Sequence, residues 1–379
     1  MRIVVNIRNL VKYETGGMDP FIYETMKRIP WRHPEHEFIF LSDTPGDADF
    51  ISGDHIMPVM AGAPIQDPLS WYSWLEWKLP PLLKRYKADV FVSPGGFLPL
   101  RGEVKTCLLL RRLSFENSPD MLSFRQRRFL KRYAPKYARK ATIIATLSEA
   151  MKKDIMADYH IESGKVNVVY PGVSGLYRPL SWEEREEVKK EFADGKEYLI
   201  YAGPIHPREN ILGLLKAFSL LKIRLYPNMQ MLLAGKRLSG SGELVASLDT
   251  YRFRQDVKIL HGSDESSRAR LIAGAYAMAS PAGGDEFNVT VAEGLACGVP
   301  VIASSSPGSR EAGGEAALYF DRGNVEDLAE KLCRLYKDEQ LRGRLIQQGL
   351  SAVAKFSWER TAEQFWECIT AAGNADKKY

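Results

Sequence analysis

Apolar residues recur along the chain in two registers, and their alternation sets out the fold. Short unbroken apolar runs bounded by polar residues read as strands buried on both faces, as a parallel sheet requires. Such runs lie at 2–6, 37–41, 89–94, 105–110, 142–146 and 166–173. Between them, Phe21, Ile22, Thr25, Met26 and Ile29 fall on one helical face. The pattern then restarts at 198–203, 229–235, 257–262, 277–280 and 317–321. Here the helices are marked by Leu212, Leu214, Leu215, Ala217 and Phe218, and later by Leu328, Leu332 and Leu335. Strand and helix alternating twice over predict an α/β protein of two doubly wound, parallel-sheet, Rossmann-like domains. A length of 379 residues suits two cores better than one. Pro171, Gly172 and Pro179 punctuate the middle and predict a hinge there. The expected division is 1–175, 176–355 and a closing helix within 356–379.

One stretch of the second half carries the most chemistry. Residues 280–303 read as a strand end, a glycine-bearing loop, a helix and a further strand. Asn288 is a good N-cap, so Val289, Thr290 and Val291 open the helix, and Gly298 with Pro300 closes it. A helix start beside the Gly283-Gly284 loop, at the carboxyl side of a sheet, is phosphate-binding geometry. Asp285 lies in the loop, and Glu293 about one and a half turns into the helix. One carboxylate can reach the far end of a ligand while the other faces its middle. A surface βαβ unit with scattered acids is the plain alternative.

The frame of Asp285, seven residues, Glu293 and then Gly294-Leu295-Ala296-Cys297-Gly298-Val299-Pro300-Val301-Ile302 resembles the signature of the family 4 retaining glycosyltransferases. That resemblance implies the GT-B fold, two Rossmann-like domains facing a central cleft, with the closing helix packed back on the first domain. It implies that Asp285, an Asp where the family has Glu, orients the donor sugar, and that Glu293 holds the ribose hydroxyls. Phe287, Asn288, Val289 and Thr290 would line the donor site, and Gly17 would face the donor phosphates across the cleft. The segment at Ile259 and Leu260 would hold the base partly through its backbone. Arg111 and Arg112 stand where the family shows His-Asp, the His contacting the donor sugar; either the two arginines, Arg111 first, serve phosphate or acidic-acceptor binding, or the activity differs from the family norm. Pro204 and Glu209 stand where the family has an Arg and a Lys that neutralise the departing diphosphate. Arg208 and Lys236 are the candidates to replace them, Lys236 being favoured because it follows a strand's carboxyl end.

The implied function is retaining transfer of a hexose from a nucleotide sugar to a glycan or lipid-linked acceptor, in polysaccharide or glycoconjugate synthesis. UDP-glucose or another UDP-hexose is the preferred donor and GDP-mannose the alternative. No cofactor and no metal are expected beyond the nucleotide-sugar substrate. A nucleotide-binding scaffold subunit without turnover is the competing reading.

Composition changes this picture little. Hydrophobic content of 45% and charged content of 26% are ordinary globular values. No apolar run approaches the roughly 18 residues of a membrane span, and the opening residues read as a strand. A cytoplasmic protein, with an option of peripheral attachment at the inner face of the membrane, is the expectation. Cys107, Cys297, Cys333 and Cys368 show no paired or metal-type spacing and read as reduced structural thiols. His33 and His36 lie in a Pro-rich loop with no cluster of acidic partners, which disfavours a metal site. The net charge of +5 is modest but unevenly spread. Residues 125–140 hold Arg125, Arg127, Arg128, Lys131, Arg132, Lys136, Arg139 and Lys140. A solvated helix face and a surface drawn to anionic lipid or a lipid-diphosphate acceptor are both open readings. Nucleic acid is disfavoured because no recognised module accompanies the cations. Trp71, Trp74 and Trp77 are expected on one helical face, as a core stripe or, less favoured, an acceptor cradle.

Overall fold

A computed structural model describes residues 1–8, 19–43, 52–63, 65, 67–111, 124–238, 240–261, 264–284 and 286–375. The chain divides into two compact units, Met1–Gly172 with Trp358–Tyr379, and Val173–Ser357. Unit 1 holds β1 (Arg2–Asn6), β2 (Glu37–Ser42), β3 (Ile56–Met60), β4 (Val90–Ser93), β5 (Lys105–Leu109), β6 (Ile143–Thr146) and β7 (Val166–Val168). They form one parallel sheet in the order β3-β2-β1-β4-β5-β6-β7. Unit 2 holds β8 (Glu197–Ala202), β9 (Met229–Ala234), β10 (Val257–Leu260), β11 (Ala277–Ser280), β12 (Val301–Ser304) and β13 (Ala317–Phe320). Its parallel sheet runs β10-β9-β8-β11-β12-β13. Both sheets are thus doubly wound, as the repeated apolar runs predict.

Strands β4, β9 and β12 are buried end to end, as a parallel sheet covered on both faces requires. In unit 2, Leu328, Leu332 and Leu335 of helix Val325–Lys337 join the same core as Leu214, Leu215 and Phe218 of helix Ile211–Leu225. In unit 1, helix Pro20–Arg32 starts at Asp19, whose carboxylate accepts from the amides of Phe21 (2.9 Å) and Ile22 (3.3 Å). Phe21 then meets Trp358 and Phe365 edge-on, at 6.5 and 5.2 Å between ring centroids. Those two rings belong to the closing helix Trp358–Asn374, which is therefore part of unit 1. The Thr361 hydroxyl adds a bond to the Tyr170 carbonyl at 2.8 Å.

Two local features depart from the sequence reading. Strand β3, Ile56-Met57-Pro58-Val59-Met60, is an apolar run the sequence reading passed over: it is an edge strand with Met57 and Met60 half exposed, and it carries Pro58, which an edge tolerates. The tryptophan stripe is broken. Residues Trp74–Lys78 form a π-helical turn between helices Pro68–Ser73 and Leu79–Arg85, and the wider turn rotates Trp77 off the shared face. Trp71 and Trp74 stack in the core at 5.4 Å with the Arg8 guanidinium 4.2 Å from the Trp74 ring, whereas Trp77 is 61% exposed beneath Arg101.

The basic helix Phe124–Lys140 turns Ala134, Tyr137 and Ala138 inward. Tyr72, Phe129 and Tyr133 pack beside them at 4.7 Å between neighbouring rings. Arg125, Arg128, Lys131, Arg132 and Lys136 are exposed.

Candidate functional site

In an open α/β sheet, ligands bind beyond the carboxyl ends of the strands where the winding order reverses. In unit 2 that place is between β8 and β11, so the loops after Ala202 and Ser280 border it. The loop after β8 is fastened to the segment after β9: the Ile205 amide donates to the Lys236 carbonyl at 2.9 Å, and the Leu238 amide to the Ile205 carbonyl at 3.2 Å. A short 3-10 turn, Pro207–Glu209, follows, and the Arg208 amide donates to the His206 ring at 3.2 Å.

The loop after β11 is held as tightly. Asn288 caps helix Val289–Ala296 by accepting from the Val291 amide at 3.3 Å, while its own amide group donates to the hydroxyls of Ser280 (3.1 Å) and Ser309 (3.0 Å). The cap thereby ties the strand end to helix Pro307–Gly313. Gly308 at that helix start presses on the loop: a Cβ there would lie 1.8 Å from the Glu286 carbonyl oxygen. Close approach requires glycine here. The open run of amides expected at 289–291 is narrowed by this geometry, because Val289 donates to the Phe287 carbonyl and Val291 to Asn288. Phe287 itself is buried against Phe356, 4.8 Å between centroids.

Glu293 lies one turn further in, and both its oxygens are occupied. Arg268 of helix Glu265–Ala273 donates from Nη2 to Oε2 at 2.6 Å and from Nη1 to Oε1 at 3.2 Å. The same guanidinium reaches the Tyr177 hydroxyl at 3.1 Å and Thr290 Oγ1 at 3.4 Å. Burial pushes the Glu293 carboxyl above its usual range, against the pull of Arg268 and Tyr177. Tyr177 is pushed up by burial and by the charge of Glu293. Arg268 was not foreseen: its partner is 25 residues away on another element, and no local spacing announces it. Asp264, which caps its helix through the Ser267 amide, is the sequence signal that marks the element.

The remaining expected residues spread around the same strand ends. Ile259 and Leu260 are half-buried in β10, and the Leu260 carbonyl accepts from the Gly235 amide at 3.0 Å. Lys236 is exposed just beyond β9. The Arg208 carbonyl accepts from Arg322, a residue the sequence reading passed over. Arg322 also packs against Gly283, where an added Cβ would come within 3.0 Å of its side chain, so it clasps both loops. Glu209 stands beside the Tyr201 hydroxyl, which donates to the Pro204 carbonyl at 2.7 Å; burial first, then Glu209, pushes that tyrosine up. Asp285 lies outside the described residues.

In unit 1, Arg111 follows β5 and grips Asp19 through both ends of its guanidinium, one contact being 2.6 Å, with the Phe21 ring 5.3 Å away. Arg111 is thus bound into the start of the first helix. Gly17 and Arg112 lie outside the described residues. Among the described residues no group of three His, Cys, Asp or Glu side chains is placed to hold a metal ion, and no helix is long and apolar enough to cross a membrane. All four cysteines are free thiols.

The doubly wound sheets, the GT-B arrangement of strands in each unit and the acidic motif helix define a class. Residues 183–351, nearly all of unit 2, match the family model described as glycosyl transferases group 1, and this unit belongs to that family. Among curated relatives, the chain is similar to O-antigen chain mannosyltransferase B of Escherichia coli, 24% identical over 283 residues that cover 74% of each chain. It spans about half the length of several other curated relatives. Two solved structures share the fold over nearly the whole chain. Sucrose-phosphate synthase of Thermosynechococcus elongatus superposes with a TM-score of 0.75 at 17% identity, covering 97% of both chains. Anabaena Alr3699/HepE in complex with UDP gives 0.73 at 17% identity, covering 98% of this chain and 100% of that one.

Proposed function

We infer that this chain is a retaining, metal-independent hexosyltransferase that moves a sugar from a nucleotide donor to a glycan or lipid-linked acceptor. The observation that supports this is the placement of Glu293: a buried carboxylate on the motif helix, beside the switch point of a unit that belongs to the group 1 glycosyl transferases. Glu293 holds the ribose hydroxyls, Asp285 orients the sugar, and the backbone of 287–290 with Ile259 and Leu260 encloses the nucleotide. Breaking the anomeric bond leaves its electron pair on the diphosphate, so cations and amides near the strand ends stabilise what departs. Arg208, Lys236 and Arg322 are the cations nearest those loops, and Arg111 is the candidate on unit 1. The acceptor oxygen bonds the anomeric carbon on the face from which the diphosphate leaves.

The donor is a UDP-hexose or GDP-mannose. UDP-glucose is the donor first expected, although no residue of the motif selects it, whereas relatives described as mannosyltransferases speak for mannose. Release of nucleoside diphosphate from a panel of UDP-hexoses and GDP-mannose, with and without oligosaccharide or polyprenyl-diphosphate acceptors, separates the two. Release with no donor under any acceptor, alongside UDP or GDP binding by calorimetry, would favour the scaffold reading. That reading draws on Glu209, an acid where the resemblance expects a lysine. Asp285→Asn should abolish turnover and leave nucleotide affinity near wild type; full activity would refute the sugar-orienting role.

The basic helix Phe124–Lys140, which contains no Asp or Glu, is the surface proposed to meet anionic lipid or the diphosphate of the acceptor. Each cation near such a surface contributes about 1 kcal/mol. Co-sedimentation with phosphatidylglycerol vesicles that falls with salt, and none with phosphatidylcholine, is the expected result. Equal binding to both would remove the helix from the mechanism.

A further inference from the structure

Arg268 does not have the surroundings of a surface cation. Its guanidinium meets Glu293 and Thr290 of one helix and Tyr177 from another segment, so two segments converge on one side chain. Glu293 is the fifth residue of its helix, too deep to cap any amide. A carboxylate has about four lone-pair sites, and a bidentate arginine takes two, one on each oxygen. The Tyr177 hydroxyl also bonds this carboxylate, so a diol takes the remaining site and competes with the tyrosine for another. We propose that Arg268 is a positioning residue which fixes the direction and the charge of the Glu293 carboxylate for a vicinal diol, the ribose of a nucleoside diphosphate. The inference rests on the functional reading above and adds to it the residue through which the ribose contact is set.

The groups that act on Glu293 support this. Glu265 and buried Cys297 and Tyr177 face it besides Arg268, and among the described residues only Arg268 brings positive charge. Without that charge, burial is opposed only by the Tyr177 hydrogen bond, and the protonated form persists to higher pH. A protonated acid donates one hydrogen bond and cannot accept from both hydroxyls of a diol as a carboxylate does.

Calorimetric titration of UDP and GDP into wild type, R268M, R268K, E293Q and the R268M/E293Q double variant, between pH 6 and 9, tests the proposal. At pH 7 R268M should bind about tenfold more weakly, the scale of one charge-assisted hydrogen bond. The loss should shrink as pH rises, because ionisation of Glu293 returns, whereas wild type should level off at lower pH. R268K, which keeps the charge but not the fork, should fall between. The double variant should match E293Q, since a residue that acts through Glu293 has nothing left to position. 2′,3′-Dideoxy-UDP should bind wild type and R268M alike. Thermal melts establish that each variant is folded, and R268K carries the test if R268M is not. Wild-type affinity in R268M, a loss that does not change with pH, or a double variant weaker than E293Q by the full R268M factor would overturn the proposal, the last by assigning Arg268 directly to the phosphates. Failure of wild type to bind either nucleotide would instead bring down the functional reading, and this inference with it.

Discussion

In unit 1 Arg111 grips Asp19, and in unit 2 Arg268 grips Glu293, each with both ends of its guanidinium on one carboxylate. The surroundings separate them. Asp19 already serves the backbone, accepting from the first two amides of helix Pro20–Arg32, so Arg111 completes a helix start. Among the described residues the Glu293 carboxylate serves no backbone group, and its arginine is shared with a threonine on the same helix and a tyrosine from another segment. An ion pair joined to a cap has a structural task whatever else it does; one held in mid-helix beside a switch point has no such task to account for it. A carboxylate's other partners therefore tell more about its role than the pair itself.

The largest effect expected from this contrast is on Asp19. Asp19→Ala removes the cap and leaves a largely buried arginine without its charge partner, at a cost of about 3–5 kcal/mol. Asp19→Asn should cost less, because asparagine caps as well as aspartate and only the charge is lost. Glu293→Gln should reverse the pattern, with a modest change in melting temperature and a large loss of nucleotide affinity. Denaturant titration beside calorimetry reads both quantities, and a Glu293→Gln protein that unfolds as readily as Asp19→Ala would erase the distinction.

Gly308 comes next. The added methyl of Gly308→Ala has no room against the Glu286 carbonyl, so the loop after β11 must shift. About 1–3 kcal/mol is the usual cost of such overpacking. Because the displaced loop carries 286–288, nucleotide affinity should fall with stability. The Asn288 cap is a smaller handle on the same helix: Asn288→Ala should cost about 1 kcal/mol, read as a shift in denaturation midpoint, and Asn288→Ser should recover part of it.

These residues also show where the sequence was legible. Asn288 could be read because a cap is local: the side chain serves an amide three residues on. The two sheets could be read because a strand covered on both faces must be apolar throughout. Arg268 could not, since its partner is 25 residues away on a separate helix. Gly308 was missed for the same reason, its contact being with residue 286. Trp77 was misplaced by a π turn that no spacing rule foretells. Strand β3 was passed over although its run is apolar, because Pro58 within it argues against a buried strand and only an edge position accommodates it. Asp285 and Gly17, both expected in the site, lie outside the described residues, so their roles rest on the motif alone.

A third pair sets the baseline for the other two. Arg28 donates to Glu359 at 3.0 Å and also contacts Glu24, joining helix Pro20–Arg32 to the closing helix, but the Glu359 side chain is 57% exposed. Water competes for such a pair and screens it, so Arg28→Ala should cost about 0.2–1 kcal/mol. Its pH dependence follows from Glu359, whose carboxyl is held below its usual range by its own backbone amide and then by Arg28. A depressed carboxyl adds stability that is present above its unfolded-state pKa and lost as pH falls through the folded value. Arg28→Ala should therefore narrow the gap between variant and wild type in acid, and added salt should narrow it at neutral pH. A loss at neutral pH as large as that of Asp19→Ala, insensitive to salt, would mean that burial does not distinguish the three arginine–carboxylate pairs, and the contrast between Asp19 and Glu293 would have to rest on their hydrogen-bond partners alone.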